Sequence, residues 1–579
     1  MRLYLLFTLA AIVAQASAVS KSTVNTRLNG WYKCPDYTFS DEGSSTGHYS
    51  ECATFNVPLC YPGICKTPQF ADPTIDVFVK RMPATTGDVK TATNVWLLEG
   101  GPGYSSTALE SSMLDLLTQL NGTANIYTMD YRGTGRSTFL DCVAAQAITT
   151  GSPGGRDFDP SETPTCAQEL ENKYGDLASF SVTSAATDLV TFISKYTNGA
   201  STIVYGTSYG TIFVERVMHL NPPEVTGYVF DGVAATSGAA EDKAFYMSKR
   251  DVDFGIVGDR FLALCSQDAT CSSHFKKPNT LPKTLRGLVA DFDKDPNSTC
   301  ATLLKDVKDY GEYPPSAALT LTLGQMLMDA ELRKLIPPVV YRLNRCDAND
   351  VDVLSQFIAI FSAGINALSQ DDAFFSPLLL YLIDYSEMYE RPQPSKTEME
   401  KRFKNALISA GAFAESPRYC AFSKEKSEAC DEFNYGKYSA KAITYERDEY
   451  WNKTAKIPSH ASVLILSSKL DAQTLHEYAE TLLETLDGDE KELVAFNTSI
   501  HGVLVWTPMG DGSVWAPTCG VEILASYVSN NGKLKGLDKS CVDKMPAFDL
   551  TVSTDYQASY FATDDVYDGA FNSSLSFPQ

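Results

Sequence analysis

The stretch from Ser201 to Leu220 constrains this chain more than any other. A β-rich run, STIVYG, passes through Gly206-Thr207-Ser208-Tyr209-Gly210 straight into a helical run, TIFVERVMHL. A G-x-S-x-G set between a strand and a helix makes a sharp, strained turn, and its glycines let the two elements pass close together. The turn lifts the Ser208 hydroxyl to the C-terminal edge of a sheet. It also sets that hydroxyl at a helix N-terminus, where developing negative charge is favoured. The motif alone is common by chance; the strand before it and the helix after it make it informative.

Other short apolar runs end in turns and lead into helical stretches, the pattern of an α/β protein. They span Ile75–Arg81, Val95–Glu99, Asn125–Asp130, Gly227–Gly232, Ser462–Ser467 and Glu492–Phe496. Several are apolar almost throughout, as strands of a parallel sheet covered on both faces must be. Between Gly232 and Ser462 helical stretches dominate, such as Leu321–Ile336 and Asp352–Ser369. With 579 residues the chain is too long for one simple core, so a cap inserted into a sheet domain is expected. The expected division is a signal peptide over 1–18, sheet domain over 19–232, helical cap over 233–460, sheet domain again over 461–545, and an acidic tail over 546–579.

A serine on such a turn needs a base, an acid that orients the base, and donors for an oxyanion. In the α/β-hydrolase fold these follow in the order Ser, Asp or Glu, His. Asp471 lies on the loop after the strand at Ser462, and His501 on the loop after the strand at Glu492. Both fall where that fold puts its acid and base, so Ser208, Asp471 and His501 are the expected catalytic set. Asp487 and Asp489, the rival acids, read as a turn. The other five histidines sit at capping or surface positions. Gly100-Gly101-Pro102-Gly103 follows the strand at Val95 and suits an oxyanion loop, because glycine N–H groups can face a carbonyl oxygen unobstructed. The donors expected are the N–H groups of Gly101 and of Tyr209, the residue after the nucleophile. An unperturbed imidazole would set the rise of activity near pH ~6.5.

The first residues, MRLYLLFTLAAIVAQASAVS, have a basic start, an apolar stretch and a small-residue cleavage pattern, which is a secretory signal. No run is long enough to span a bilayer, so no integral membrane association is expected. Fourteen cysteines suit disulfides in an oxidising compartment. Several fall in near pairs, Cys60/Cys65, Cys265/Cys271, Cys420/Cys430 and Cys519/Cys541, although spacing does not fix connectivity. Sequons occur at Asn121, Asn297, Asn452, Asn497 and Asn572; a glycan on Asn497 would crowd His501, so that site is expected to be used least. No CxxC or HExxH spacing suggests a metal, and no cofactor is expected. The net charge of −23, with no basic stripe, argues against nucleic acid as a partner.

Together these motifs resemble the prolyl-aminopeptidase and tripeptidyl-aminopeptidase family of α/β-hydrolase serine peptidases. The resemblance rests on the GGPG loop, on MDYRGTGRS (Met129–Ser137), on the elbow, and on Asp231-Gly232. KLDAQT resembles the family's acid loop, with Leu475 where proline is usual. The segment from HGV through Cys519 to Cys541 resembles the tripeptidyl-type members, which implies a disulfide between those two cysteines. Asp130, Arg132, Gly133 and Gly135 read as shaping a loop beside the site. The resemblance implies a secreted serine exopeptidase whose partners are peptides with free N-termini. Such an enzyme needs an acid in the cap to hold the substrate ammonium at a fixed distance from Ser208. Glu387, in Ile383–Glu387, is the candidate, with Glu99 a further one. The alternatives are a secreted carboxylesterase or lipase with the same triad, and an inactive binding protein on a hydrolase scaffold. Neither the residue preference nor the oligomeric state is written in the sequence.

Overall fold

A computed structural model describes residues 26–40, 43, 47–146, 159–365, 369–510 and 517–575; the expected signal peptide lies outside them. Six strands run parallel in the spatial order β6 (Asn125–Asp130), β5 (Asn94–Leu98), β7 (Thr202–Thr207), β8 (Val225–Asp231), β9 (Ser462–Ser468) and β10 (Lys491–Phe496). β4 (Thr74–Met82) joins β6 antiparallel. β3 (Ser50–Pro58), which the apolar runs did not announce, extends that edge, and the short β1 (Arg27–Leu28) and β2 (Tyr32–Cys34) pair with it. β3 alternates buried and half-buried residues, a weaker signal than an apolar run.

Every residue of β5 and β6 is buried. Because side chains alternate across a strand, each strand feeds two cores. Val95 and Leu97 join Ile203, Leu464 and the helix Cys519–Ser529 on one face; Trp96 and Leu98 join Val204, Val463 and the helix Val182–Tyr196 on the other. This is an α/β-hydrolase fold: a mostly parallel sheet with a strand-turn-helix elbow after a central strand.

Between β8 and β9 the described residues form helices and no strand. The run 321–336 is broken into a helix Pro315–Leu327, a 3₁₀ turn Leu332–Leu335 and a helix Ile336–Arg345. Asp329 accepts the N–H groups of Glu331 and Leu332 there and so takes over donors that a continuous helix would use. The segment after Met545 lies on this insertion. Phe561 stacks on Phe357, Tyr567 on His274, and the buried Arg342 donates to the carbonyls of Asp565, Val566 and Gly569.

Six disulfides are formed, Cys34–Cys52, Cys60–Cys65, Cys265–Cys271, Cys300–Cys346, Cys420–Cys430 and Cys519–Cys541. Such a set suits an oxidising compartment. Cys142 and Cys166 are buried and unbridged. No described helix is long and apolar enough to cross a membrane.

The MDYRGTGRS segment is held by two buried carboxylates. Asp130 accepts from the Ser106 and Arg136 N–H groups at 2.7 and 2.8 Å. Arg132 forms a two-pronged pair with Asp188 at 2.8 and 2.7 Å and donates to the Leu59 carbonyl. Burial pushes the Asp188 carboxyl up even though Arg132 and Tyr61 pull it down, so the pair is closer to a specificity device than to a large stabiliser. Asp188→Ala should therefore destabilise the protein by about 3–5 kcal/mol, because it strands a buried guanidinium. The double change Arg132→Met with Asp188→Leu should recover most of that loss. Urea unfolding of the three proteins measures both.

Candidate active site

Ser208 stands between the end of β7 and the helix Tyr209–Leu220 with φ +56° and ψ −124°, a sparsely populated conformation for a residue with a β-carbon. The backbone around it holds this shape. The Ser208 N–H donates to the Asp231 carbonyl at 2.9 Å, and the Thr211 N–H and hydroxyl donate to the Ser208 carbonyl.

Asp471 follows β9 and His501 follows β10. Nδ1 of His501 lies 2.7 Å from Oδ2 of Asp471. Asp471 also accepts the N–H groups of Gln473 and Thr474 and the Thr474 hydroxyl, so its carboxylate is fixed by four partners. The His501 loop is fixed in turn by Asp231, which accepts the N–H groups of Val503 and Leu504 at 3.0 and 2.9 Å and the Tyr205 hydroxyl at 2.7 Å. Gly232 completes the seat: a β-carbon there would come within 2.8 Å of Cε1 of His501. Nε2 of His501 is buried and makes no hydrogen bond among the described residues. Burial pulls the imidazole pKa down. The charge and hydrogen bond of Asp471, with the charge of Asp231, outweigh that pull, and the net shift is upward from the ordinary 6.5.

Ser208 and His501 line one cavity of about 710 Å³ together with Glu99, Gly100, Gly101 and Arg250. The oxyanion loop presses on the elbow, since a β-carbon on Gly100 would stand 2.8 Å from that of Ser208. Within the loop the Gly100 N–H is taken by the Glu99 carboxylate at 2.8 Å and that of Gly103 by the Tyr131 hydroxyl at 3.1 Å. The N–H groups of Gly101 and Tyr209 have no such partner among the described residues. Burial, opposed by the Gly100 hydrogen bond, raises Glu99 to about 7.

The structure thus brings together Ser208, Asp471, His501, Gly101, Tyr209 and Glu99. It does not bring Glu387 to the cavity. That carboxylate is buried: Oε1 accepts the Tyr445 hydroxyl, and Oε2, without a hydrogen bond among the described residues, lies 3.5 Å from Arg216 of the elbow helix. In place of an ammonium it holds a guanidinium that the protein itself supplies, which is the physical reason for setting it aside.

One helical turn earlier, Asp384 does reach open space. It lines a cavity of about 180 Å³ with Tyr381, Tyr385 and Tyr389, and that cavity shares Met247, Arg250, Leu380 and Ala410 with the Ser208 cavity. Asp384 is 4% exposed and its Oδ1 is buried with no hydrogen-bond partner among the described residues. Burial pushes the carboxyl well above the usual range against the pull of Arg250, with Glu415 adding to the push. Sequence reasoning singled out Glu387 in this segment and not Asp384, which lines the recess. The available signal was the aromatic spacing Tyr381, Tyr385, Tyr389 around Asp384.

No family model and no curated protein matches the chain. Among solved structures it is similar to an esterase from Exiguobacterium antarcticum, with 11% identity, 74% of this chain and 90% of that chain covered, and a TM-score of 0.26. It is also similar to a haloalkane dehalogenase loop variant from Bradyrhizobium elkanii (11%, 81% and 95%, 0.31). A monoacylglycerol lipase from Paleococcus ferrophilus gives 12%, 79% and 99%, and 0.26. At such scores these likenesses add nothing to the topology and geometry described above.

The hydrogen-bond arrangement makes a direct expectation for the imidazole. Nitrogen NMR should show His501 titrating above the ordinary histidine range. Asp471→Asn should lower its midpoint by about one to three units. A midpoint that the substitution leaves in place would show that another group holds the proton.

Proposed function

We propose that this protein is a secreted serine exopeptidase that removes residues or short peptides from free peptide N-termini. The observation that carries the reading is Asp384: a carboxyl group buried among tyrosines, its Oδ1 without a hydrogen-bond partner among the described residues, in a recess that shares lining residues with the Ser208 cavity. A buried carboxylate is costly unless something pairs with it, and an ammonium is the complementary group. Tyrosine faces also attract cations. An esterase or lipase acting on neutral acyl chains would have no use for such a group. Glu99 suits the role less well, because one of its oxygens is already occupied by the oxyanion loop.

The chemistry follows from the geometry. Nε2 of His501 accepts the Ser208 proton as Oγ bonds to the scissile carbonyl carbon. The oxyanion is held by the N–H groups of Gly101 and Tyr209, and Asp471 keeps the imidazole oriented with its proton on Nδ1. When the tetrahedral intermediate collapses, the C–N bond breaks and the amine leaves with the proton from His501. Water then repeats the sequence on the acyl-enzyme and frees Ser208. An ammonium seated at Asp384 fixes how far the N-terminus reaches past Ser208, which is how an exopeptidase counts residues.

Ser208→Ala should leave the fold intact, lower kcat by about 10⁶ and abolish labelling by a fluorophosphonate. His501 works as base only when neutral, and its pKa is raised. The acidic limb of kcat/KM should therefore rise with pH through a value above 6.5. A rate that is flat from about pH 5 to 8 would remove His501 from the role.

The recognition step is tested by comparing a peptide bearing a free amine with its N-acetylated form. Only the first should be cleaved efficiently. Asp384→Asn should raise KM for it by about tenfold or more with a smaller effect on kcat. A buried carboxyl with a raised pKa binds more protons folded than unfolded, so it costs stability as pH rises above the ordinary carboxylate range. The same variant should therefore unfold at an equal or higher temperature at neutral pH. Equal cleavage of both peptides, with KM unmoved in the variant, would favour the esterase reading. No labelling of Ser208 in the folded protein would favour a binding protein.

A further inference from the structure

A second recess adjoins the Ser208 cavity on a different side. It has a volume of about 300 Å³ and shares Val505 and Trp506, on the loop after His501, with the catalytic cavity. It has no lining residue in common with the Asp384 recess. Trp506, Pro508, Met545 and Phe548 give it an apolar wall, and Arg333 gives it one buried charge.

Arg333 is 5% exposed. Nη2 donates to the Thr498 carbonyl at 2.8 Å and Nε more weakly to the Ala330 carbonyl at 3.3 Å. The guanidinium carbon lies 4.7 Å from the centroid of the Phe548 ring. Among the described residues Nη1 has no acceptor and no carboxylate lies within ion-pair distance of the group. Two carboxylates also line the recess: Glu331, which pairs with Lys334 at 2.8 Å, and Asp549, which accepts the Thr551 N–H. Burial pulls the Arg333 pKa down to about 10, with Glu331 and Asp329 opposing, so the group stays charged at neutral pH. In a protein of net charge −23 an arginine this deep would ordinarily have a carboxylate at hand.

We propose that this recess binds the C-terminal carboxylate and apolar last residue of a short peptide substrate, with the carboxylate on Arg333 and the side chain against Trp506 and Phe548. A guanidinium presents parallel N–H groups that match a carboxylate, and an apolar wall rewards an apolar side chain. The identity of the ligand rests on the exopeptidase reading above; the preference for an apolar carboxylate does not. With Asp384 in one recess beside the Ser208 cavity and Arg333 in another, the enzyme reads both charged ends of its substrate. Free short peptides, rather than N-termini of folded proteins, are then the substrate class.

The test has two arms on the full-length protein. In the first, N-acetyl-phenylalanine and its C-terminal amide, neither of which offers an amine to Asp384, are titrated calorimetrically. The acid should bind about tenfold or more tightly than the amide, Arg333→Gln should abolish the difference, and a co-crystal should place the carboxylate on Arg333. Equal binding of acid and amide, retention of the difference in the folded variant, or a carboxylate seated elsewhere would each overturn the proposal. The acid-to-amide comparison and the co-crystal need no variant, so they decide even if Arg333→Gln does not fold.

In the second arm, unblocked peptides ending in leucine are compared as acids and amides. KM should be about tenfold lower for the acids, with kcat little changed, and Arg333→Gln should level the two. A variant that lowers kcat equally for both would mark Arg333 as a mere support for the His501 loop and overturn the assignment. Failure to cleave either peptide would sink the exopeptidase reading alone and leave the calorimetric arm to decide the recess.

Discussion

Asp231 joins the parts of the site that come from different strands. Its carbonyl accepts the Ser208 N–H and its carboxylate accepts two N–H groups from the loop after His501. The elbow after β7 and the histidine loop after β10 are thereby referenced to one residue at the end of β8. Burial pushes this carboxyl up, and the Tyr205 hydroxyl and the Leu504 and Val503 N–H groups pull it back. A carboxylate in that position is tolerable only because every direction it faces is answered by a donor. Oriented donors and a fixed imidazole have to exist before substrate arrives if they are to favour a transition state. That preorganisation descends from the C-terminal ends of five parallel strands, β5, β7, β8, β9 and β10, meeting at one edge of the sheet.

The residues we propose for recognition lie elsewhere. Asp384 and Arg333 belong to the helical insertion, Trp506 to the loop after His501, and Phe548 to the segment that follows the last helix of the sheet domain. None of the six disulfides crosses between insertion and sheet; each closes a loop within its own part of the chain, where it limits the unfolded ensemble. The insertion is attached by an apolar core that it shares with the sheet domain, where Leu378, Leu382 and Phe254 join the cluster of Trp96 and Val204, and by polar contacts. Glu387 and Asp448 flank Arg216 of the elbow helix, Ser376 donates its N–H to the Gly103 carbonyl, and Arg333 donates to the Thr498 carbonyl. Glu387 is therefore a buried contact between the insertion and the elbow.

Several features were legible because they are local. Six apolar runs announced the parallel strands, since a strand covered on both faces must be apolar throughout. β3 escaped because one side is only half covered, and the run 321–336 concealed a break because Asp329 competes for its N–H groups. Asp471 and His501 could be placed after their strands by order along the chain. The upward shift of the His501 pKa could not, because it depends on the balance between burial and two carboxylates.

The sequence by itself determined the elbow, the order of strands and the loops on which acid and base stand, because each of these is a property of consecutive residues and their periodicity. Only the tertiary structure decided which of two carboxylates on one helix, Asp384 or Glu387, faces open space. They lie three positions apart and differ in nothing that local sequence expresses. The difference is that Arg216, 171 positions away from Glu387 along the chain, pairs with one of them, while among the described residues the other feels the charge of Arg250 without an ion pair or a hydrogen bond to its Oδ1. The pairing of buried charge is a long-range property, and so is the absence of a pair.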